Sequence, residues 1–447
     1  MRAARADNCD LEDGANIAVI GGGPAGSFFS IFALKMAKMV GKDLNITIFE
    51  PKDFTKTGPA GCNHCGGVIS ELLVQTLAVE GINLPDTVVR KGINSYRLHT
   101  NYGSVFIATP SFDKTIATVY RGGGPKGITV ADKESFDHFL LNRAIQEGAV
   151  HKPFLIDHIE WRNGRPVLFS RKQELMVADL AVGAFGLNSA TAKLVEDMKF
   201  GYSGPRVLTA AIAEIAMGGD VVAEHFGSSI QLFLLPNPEI TFAAMIPKGA
   251  YVTLCILGNP AGAMHVKTVD DFLELAAVKR VLPKNASYHV ACRCLPKLNV
   301  SAPKKAFTDR VVMCGDAGAT RLFKDGLGAA YLMGKAAAKT AVFQGIGERQ
   351  FAEGYYPAYK RTIRDNYYGN ILFTVIGIYR KFGLLTKAML KVVEKEQKGS
   401  RKEKNMSSIL WDMFTGNEKY RKVFSHAFNV KMQVDVLEGL LKSGLGR

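Results

Sequence analysis

Residues 16–26 of the chain read NIAVIGGGPAG, a short apolar run followed at once by glycines. The apolar run predicts a buried parallel strand that the glycines terminate. Gly21, Gly23 and Gly26 fit G-x-G-x-x-G, which permits a tight turn, close approach of a pyrophosphate and close packing of the next helix. The free N–H groups at that helix start favour an anion. The predicted cofactor contacts here are Gly21, Gly23, Pro24, Ala25 and Gly26.

The following segment extends this turn into a strand–helix–strand unit. Residues 27–40 carry helical periodicity, and residues 45–49 form a second apolar run that is followed by Glu50. A carboxylate at this position would accept hydrogen bonds from a ribose. Because an acidic residue stands here rather than a basic one, the pattern predicts FAD or NAD and not NADP.

A second nucleotide-type motif lies far along the chain. Residues 311–317 read VVMCGDA, a buried strand that delivers Gly315 and Asp316 to the start of a helix. The carboxylate would lie beside a sugar or ribityl chain, and the backbone N–H groups would face a pyrophosphate or a pyrimidine edge. Gly326 and Gly328 form a Gly-x-Gly turn soon afterwards. One FAD molecule has two ends and the two motifs supply a site for each, so FAD is the predicted cofactor.

Composition indicates the class of protein. The chain has 447 residues, of which 47% are hydrophobic and 22% charged, and a net charge of +15. These values predict a globular protein with two packed lobes or a core with appendages. Seven cysteines without a preceding apolar leader favour a reducing cytoplasm over a disulfide framework. No apolar run reaches the roughly 18 residues of a transmembrane helix, so no span is predicted.

The positive charge is concentrated in the C-terminal part of the chain. From Lys360 onward there are 18 Lys and Arg residues against 8 Asp and Glu residues. Two interpretations stay open: basic amphipathic helices in contact with the inner face of a membrane, or helices that close over a substrate lobe with a solvated cationic face. No nucleic-acid-binding module accompanies the charge, so nucleic acid is not a predicted partner.

The order of the segments predicts an α/β fold. It comprises a Rossmann-like FAD-binding domain with a parallel sheet, an antiparallel-sheet substrate lobe and a C-terminal helical region. The predicted boundaries are 14–206 for the first part of the FAD-binding domain with inserted strands, 207–305 for the substrate lobe, 306–345 for the return of the FAD-binding domain and 346–447 for the helical, basic region.

Several stretches together resemble a known group of flavoproteins. With residues 181–189, AVGAFGLNS, the two nucleotide motifs resemble the p-hydroxybenzoate hydroxylase-type fold. Within that fold, residues 65–70, CGGVIS, resemble the cysteine loop of the geranylgeranyl reductase family, and residues 242–249 resemble its aromatic–Pro–Lys strand. Phe136-Asp137, Leu140 and Gly148 match the family's helix after its arginine. The resemblance covers residues 16–345.

The resemblance implies an FAD enzyme that saturates carbon–carbon double bonds of prenyl or related long hydrophobic chains. Flavin N5 would deliver the hydride, and the cysteine loop would lie near the flavin ring and the substrate tunnel. The implied partners are an isoprenoid or polyene substrate and an external electron donor, namely ferredoxin, another flavoprotein or NAD(P)H. This chain departs from the family pattern at Phe185, Ala244 and Leu327, which predicts a different tunnel wall and substrate.

The segment Cys62-Asn63-His64-Cys65 is the most unusual local feature. Its two thiols could form a redox dithiol, lie against the flavin, contribute to a zinc site or simply line a tight loop. No metal is predicted, because the other cysteines lack a recognised ligand spacing. The predicted catalytic residues are Cys65 with Cys62 or His64, the last as a proton donor to the substrate carbon. Gly66 and Gly67 would contact the cofactor.

Basic residues flank two further candidate contacts. Arg121 precedes three glycines and would contact a flavin phosphate or a substrate anion, or else belong to a wide turn. Arg321, Lys324 and Asp325 follow the second motif and are expected to shape the environment of the flavin pyrimidine. Two other functions stay open beside alkene reduction: a flavin-dependent monooxygenase or halogenase on the same fold, and a non-catalytic flavin-bound membrane or complex subunit.

Overall fold

The computed structural model describes residues 9–63, 66–128, 134–187, 190–259, 264–284, 286–399 and 404–444. Strands and helices are numbered in chain order. The N-terminal turn belongs to a mostly parallel sheet made of β1 (Asn16–Ile20), β2 (Asn45–Phe49), β8 (Val150–Lys152), β12 (Leu180–Gly183), β19 (Phe307–Thr308) and β20 (Val311–Met313). The strand order is β19-β20-β12-β1-β2-β8, and only the β19–β20 pair among these is antiparallel.

Helices cover this sheet and bury its apolar strands. The helices of this half are α1 (Pro24–Met39), α2 (Glu71–Val79), α3 (Phe136–Glu147), α4 (Thr191–Asp197), α8 (Gly326–Phe343) and α9 (Glu348–Gly354). Close packing of α1 on α8 depends on small residues, since a Cβ on Gly334 would lie 3.0 Å from the Ala25 carbonyl oxygen. The predicted helix at 27–40 and the return of the chain to β1 through residues 180–183 are confirmed.

A larger sheet forms the second lobe. Its strands are β5 (Ser95–Thr100), β6 (Gly103–Ala108), β13 (Val207–Ala216), β14 (Ser229–Phe233), β15 (Ile240–Lys248), β16 (Tyr251–Gly258), β17 (His289–Cys294) and β18 (Lys297–Asn299). They follow the order β17-β13-β16-β15-β14-β5-β6, with β18 paired to β13. Although β5 and β6 lie within the range 14–206 predicted for the FAD-binding domain, they complete the sheet of the second lobe, through a parallel β5–β14 pair.

Two smaller sheets connect these units. One contains β3 (Val68–Ser70), β4 (Val89–Ile93) and β7 (Ile116–Val119), and the other contains β9 (His158–Arg162), β10 (Arg165–Ser170) and β11 (Gln173–Val177). The short helices α5 (Gly219–His225), α6 (Thr268–Glu274) and α7 (Ala276–Lys279) pack on one face of the large sheet, where Ala213, Leu254 and Phe272 belong to a shared core.

The C-terminal region is helical, as predicted, and packs on the opposite face of the large sheet. Its helices are α10 (Tyr356–Lys381), α11 (Gly383–Lys398), α12 (Asn405–Phe414), α13 (Tyr420–Ala427) and α14 (Val430–Gly444). Trp411 is fully buried and stacks on Tyr96 of β5 at 4.5 Å between ring centroids. Asp412 forms an ion pair with Lys114 at 2.8 Å. The helices of the C-terminal region therefore close over one face of the second lobe.

Candidate functional site

The glycines after β1 each have a distinct geometric reason to lack a side chain. Gly21 has φ +109°, and a Cβ there would collide with the Ala184 carbonyl oxygen. A Cβ on Gly26 would collide with the Gly21 carbonyl oxygen, because α1 crosses β1 closely. A Cβ on Gly23 would meet nothing nearer than 3.8 Å. The first and third glycines thus shape the turn, whereas at the second a Cβ would make only ordinary van der Waals contacts.

A polar cluster lies in front of Gly23. The atoms nearest a Gly23 Cβ belong to Arg121, Asn63 and Asp137. The Arg121 guanidinium makes a bidentate pair with Asp137, with Nε to Oδ1 at 2.5 Å and Nη2 to Oδ2 at 2.9 Å. The Asn63 amide also donates to Asp137, and Lys52 Nζ donates to Asn63 Oδ1 at 3.1 Å. Cations held by a fully buried carboxylate beside a helix start suit a phosphate.

Glu50 lies at the other side of the turn. Its carboxylate accepts hydrogen bonds from the backbone N–H of Gly22 and of Lys52, both at 2.9 Å. Burial raises the pKa of Glu50, while these two N–H groups oppose the shift. The side chain is therefore fixed next to the glycine turn, at the position from which a carboxylate can accept from a ribose.

The second motif lies directly against the first. Gly315 has φ +62°, and a Cβ there would lie 2.6 Å from the Ala25 Cβ. The two are brought together because β12 lies between β1 and β20 in the sheet. Burial raises the pKa of the neighbouring Asp316, and the Arg121 guanidinium opposes this shift, which places Arg121 within electrostatic reach of both motifs. Residues 21–26 and residues 315–316 therefore lie side by side in the structure.

The Gly326–Gly328 turn forms the start of α8. The Asp325 carboxylate caps this helix by accepting from the Gly328 N–H at 3.1 Å. Arg321 pairs with the same carboxylate at 2.6 Å and donates to the Gly416 carbonyl oxygen at 3.1 Å. The acidic residue of this turn thus stands at position 325, whereas Leu327 is buried in the core.

Lys324 does not contribute its charge to the glycine turn. Its Nζ donates to the carbonyl oxygens of Asp412 and Glu418, at 2.5 and 2.8 Å, and lies 4.1 Å from the Tyr420 ring centroid. Burial lowers the pKa of Lys324 to about 7. The cationic group of Lys324 thus binds the C-terminal helical region, and that of Arg321 binds both Asp325 and this region. The expectation that these residues shape the flavin environment stays a prediction.

The loop after β2 joins the nucleotide motifs to the second lobe. Two predicted catalytic residues, His64 and Cys65, lie outside the described residues. The Cys62 carbonyl oxygen accepts from Lys52 Nζ at 3.0 Å. A Cβ on Gly66 would contact Cys255 Sγ at 3.3 Å and Ile246 Cδ1 at 3.4 Å. Gly67 has φ +62°, and a Cβ there would collide with the Val119 carbonyl oxygen and lie 2.8 Å from Lys248 Nζ.

One face of β15 continues from this loop. Lys248, Ile246 and Ala244 alternate along the strand, so they share a face. Lys248 is 2% exposed, with Nζ 5.2 Å from the Tyr120 ring centroid. Next on the strand, Phe242 stacks on Phe373 of α10 at 6.0 Å between centroids. The loop after Cys65 thus opens onto an apolar row that leads to the aromatic residues of the tail.

A polar row crosses the same face of the sheet. Thr253 of β16 is paired with Ile246 of β15 on one side and with Glu214 of β13 on the other. Glu214 is in turn paired with Cys292 of β17. The Thr253 hydroxyl lies within hydrogen-bonding distance of both Glu214 carboxylate oxygens, at 2.9 and 2.8 Å. Burial raises the pKa of Glu214, an effect that Lys248 opposes. Among the described residues, no group of three or more His, Cys, Asp or Glu is arranged to hold a metal ion.

The described residues fit an FAD molecule. Gly23 with Arg121 would face a pyrophosphate, Glu50 would face a ribose, and Gly315 with Asp316 adjoins the glycine turn. Asp137, Asn63 and Lys52 complete the site but were not predicted as cofactor contacts. The sequence did contain a signal for Asp137, because Phe136-Asp137 was among the residues that carried the family resemblance.

Comparisons with known proteins agree with this arrangement. No family model and no curated protein matches the sequence. A geranylgeranyl bacteriochlorophyll reductase-like protein from Thermoplasma acidophilum has a similar structure, with a TM-score of 0.65, 15% identity and coverage of 93% of this chain and 98% of its own. The fold is that of FAD-dependent flavoproteins. The predicted fold class and the predicted fold-level resemblance are thereby confirmed.

Proteins named for other flavin-dependent activities have similar structures. A flavoprotein/dehydrogenase from Cytophaga hutchinsonii has a TM-score of 0.60 at 14% identity, with coverage of 97% of this chain and 100% of its own. A flavin-dependent brominase has a TM-score of 0.63 at 14% identity, with the same coverage. One halogenase neighbour was solved in complex with FAD, in agreement with the predicted cofactor. At these identities the similarity establishes the fold, and the reaction has to be argued from the site.

Proposed function

We propose that this chain is an FAD-dependent oxidoreductase that reduces carbon–carbon double bonds of an isoprenoid or another long hydrophobic substrate. The observation that carries the proposal is the apolar row on β15. It begins at Ile246 beside Gly66, passes Ala244 and reaches Phe242 among the tail aromatics. A long apolar chain placed along this row would have one end at the cysteine loop and would contact the apolar side chains of β15 along its length.

The nucleotide motifs would hold the cofactor. Glu50 would bind the ribose, Gly23 and Arg121 the pyrophosphate, and Asp316 the adjoining ribityl chain. FAD, when bound, supplies hydride chemistry for the reduction of an alkene. The Arg121–Asp137 pair fixes the guanidinium in one orientation, so its charge is already aligned when a phosphate arrives.

Two further parts of the proposal concern the catalytic residues and the electron donor. Cys62, His64 and Cys65 remain the proposed catalytic residues, because the adjoining Gly66 and Gly67 contact Ile246, Cys255 and Lys248 of the lobe. The reducing equivalents would come from an external donor, namely ferredoxin, another flavoprotein or NAD(P)H.

Anaerobic reduction of the purified protein tests this function. The flavin absorption of the holoprotein should bleach with dithionite and return when a geranylgeranyl lipid is added, with a saturated product detected by mass spectrometry. A lipid whose chain is already saturated provides the control and should leave the flavin reduced. A holoprotein that stays bleached with every polyene offered contradicts the reductase function, and a protein that cannot be loaded with FAD contradicts the cofactor as well.

A halogenase is the second candidate function. The observation that favours it is the brominase neighbour, whose TM-score of 0.63 is close to the 0.65 of the reductase-like neighbour. This function requires that the reduced holoprotein consume oxygen and, with bromide or chloride present, halogenate an electron-rich aromatic compound. Halogenated product without lipid saturation would favour it. FAD binding with neither reaction and with a stably co-purifying protein would favour a non-catalytic subunit.

A further inference from the structure

Helix α14 is apolar on two opposite faces. On its inner face, Met432 is buried and Gly439 lies so close to α11 that a Cβ would be 3.0 Å from the Ala388 carbonyl oxygen. On its outer face, four apolar side chains are exposed. Their exposed fractions are 81% for Val430, 57% for Val434, 59% for Leu437 and 66% for Leu441.

These four residues form a continuous line, here termed the α14 stripe. Their spacing is four, three and four residues, so they share one face of the helix. At a rise of about 1.5 Å per residue, the stripe is roughly 16 Å long. A helix that is apolar on both faces requires a second apolar environment, because contiguous exposed apolar surface of this kind is uncommon in monomeric soluble proteins.

The apolar surface continues beyond both ends of the stripe. Phe428, just before α14, is exposed. Helices α11 and α14 are antiparallel, since Ala388 lies beside Gly439 while Lys395 pairs with Glu438. The start of α11 therefore lies at the Leu441 end of the stripe, and Phe382 and Leu384 at this start are exposed as well.

The surroundings of the stripe are cationic. Lys431 is exposed on α14, and Lys391 and Lys395 of α11 line the groove between the two helices together with Asp435 and Glu438. The charges of Lys395 and Glu438 offset each other in a pair at 2.7 Å, so the local balance is two lysines against one aspartate. The whole chain carries +15, so a second copy seated on this face would be repelled, whereas an anionic surface would be attracted.

We propose that the α14 stripe docks this protein on a lipid bilayer that contains anionic lipids. The apolar side chains enter the boundary between headgroups and acyl chains, and the flanking lysines bind the headgroups. Within the described residues, no helix is both long and apolar enough to cross a bilayer. The contact is therefore peripheral and reversible. It is independent of the reaction proposed above, since it concerns only the outer face of α14.

Vesicle flotation of the full-length holoprotein tests the proposal. Binding is expected to vesicles of phosphatidylcholine with phosphatidylglycerol, to weaken on vesicles of phosphatidylcholine alone and to weaken with added salt. The double variant Val434→Gln/Leu437→Gln should bind about tenfold more weakly or worse, because it removes two apolar side chains from the interface. The matched control is Val79→Gln on α2, where the side chain is 87% exposed, and it should bind as the unaltered protein does.

The same variants distinguish a lipid bilayer from a second copy of the chain as the occupant of the α14 stripe. An unchanged melting temperature and FAD content would show that the double variant is folded. The proposal is overturned if the unaltered protein binds neither kind of vesicle, or if the double variant binds as well as the control. It is also overturned if the unaltered protein forms a dimer in solution that the double variant abolishes without any effect on vesicle binding.

Discussion

Gly315 lies directly against Ala25, so that a Cβ on Gly315 would be 2.6 Å from the Ala25 Cβ. This contact brings together two nucleotide-type motifs that are almost 300 residues apart in the sequence. Position 315 therefore requires glycine for two reasons. The contact leaves no room for a side chain, and the φ of +62° disfavours one independently of the contact.

Gly315→Ala is expected to lose FAD and stability together. Backbone strain and the collision with Ala25 should cost about 2–4 kcal/mol of the free energy of unfolding. Gly14→Ala is the matched control, since Gly14 has φ +73° with nothing within 4 Å of its Cβ position and would suffer strain alone. Thermal melting and flavin content measure both effects. Equal losses in the two variants would contradict the role given to the contact.

Arg121→Gln should weaken FAD binding about tenfold to a hundredfold, because it removes a charge from the proposed pyrophosphate site. It should also destabilise the fold by about 3 kcal/mol, since Asp137 would remain buried without its cation. The double variant Arg121→Gln/Asp137→Asn should regain stability but not FAD affinity, as measured by FAD titration and denaturation. Arg162→Gln removes an exposed pair and serves as the control. Recovery of affinity in the double variant would exclude direct phosphate contact.

Gly67→Ala should retain FAD but slow the return of the flavin absorption on addition of lipid. The new Cβ would collide with the Val119 carbonyl oxygen and crowd Lys248 Nζ, which displaces the loop that follows Cys65. Gly127→Ala is the matched control, because Gly127 has φ +85° and nothing lies within 4 Å of its Cβ position, so it would suffer backbone strain alone. Stopped-flow absorption under anaerobic conditions measures the rate. Identical rates in both variants would remove the loop from the proposed reaction.

The buried Lys324 should make stability depend on alkaline pH. Its pKa is lowered to about 7 by burial, whereas the unfolded chain holds this proton up to its ordinary value of 10.5. Between these values the folded state binds fewer protons, so stability should rise with pH by up to about 1.4 kcal/mol per pH unit. Denaturation at several pH values measures the slope. Lys324→Met should abolish this contribution and the exposed Lys279→Met should not. A slope that survives in Lys324→Met would contradict the assignment.

The parts of the fold that depend on short-range patterns could be predicted from the sequence. The apolar run at 16–20, the glycines after it and the helix at 27–40 form a local unit whose periodicity specifies both strand and helix. Gly315 and Asp316 could be predicted as a second motif for the same reason. The pairing of β5 with β14 could not, because it joins segments more than 100 residues apart and leaves no local signal.

The contacts that individual side chains make could not be predicted from the sequence either. Arg321 and Lys324 follow the second motif in the sequence, yet both donate to carbonyl oxygens of the C-terminal helical region about 90 residues later. Similarly, the basic tail was recognised from its charge, but its attachment through Trp411 and Asp412 depends on long-range packing. The α14 stripe shows the converse case, in which only the packing of Met432 and Gly439 distinguishes the outer face from the inner one.

The position of β12 between β1 and β20 also determines when the cofactor can be captured. During synthesis on the ribosome, the glycine turn emerges first, and Gly315 and Asp316 emerge only after nearly 300 further residues have been translated. For most of translation the nascent N-terminal βαβ unit thus presents only half of a cofactor site. During this time Gly315 does not yet cover Ala25. Tight FAD capture is therefore expected only after Gly315 and Asp316 have emerged, so that supply of the vitamin precursor would influence how much of the newly made protein persists.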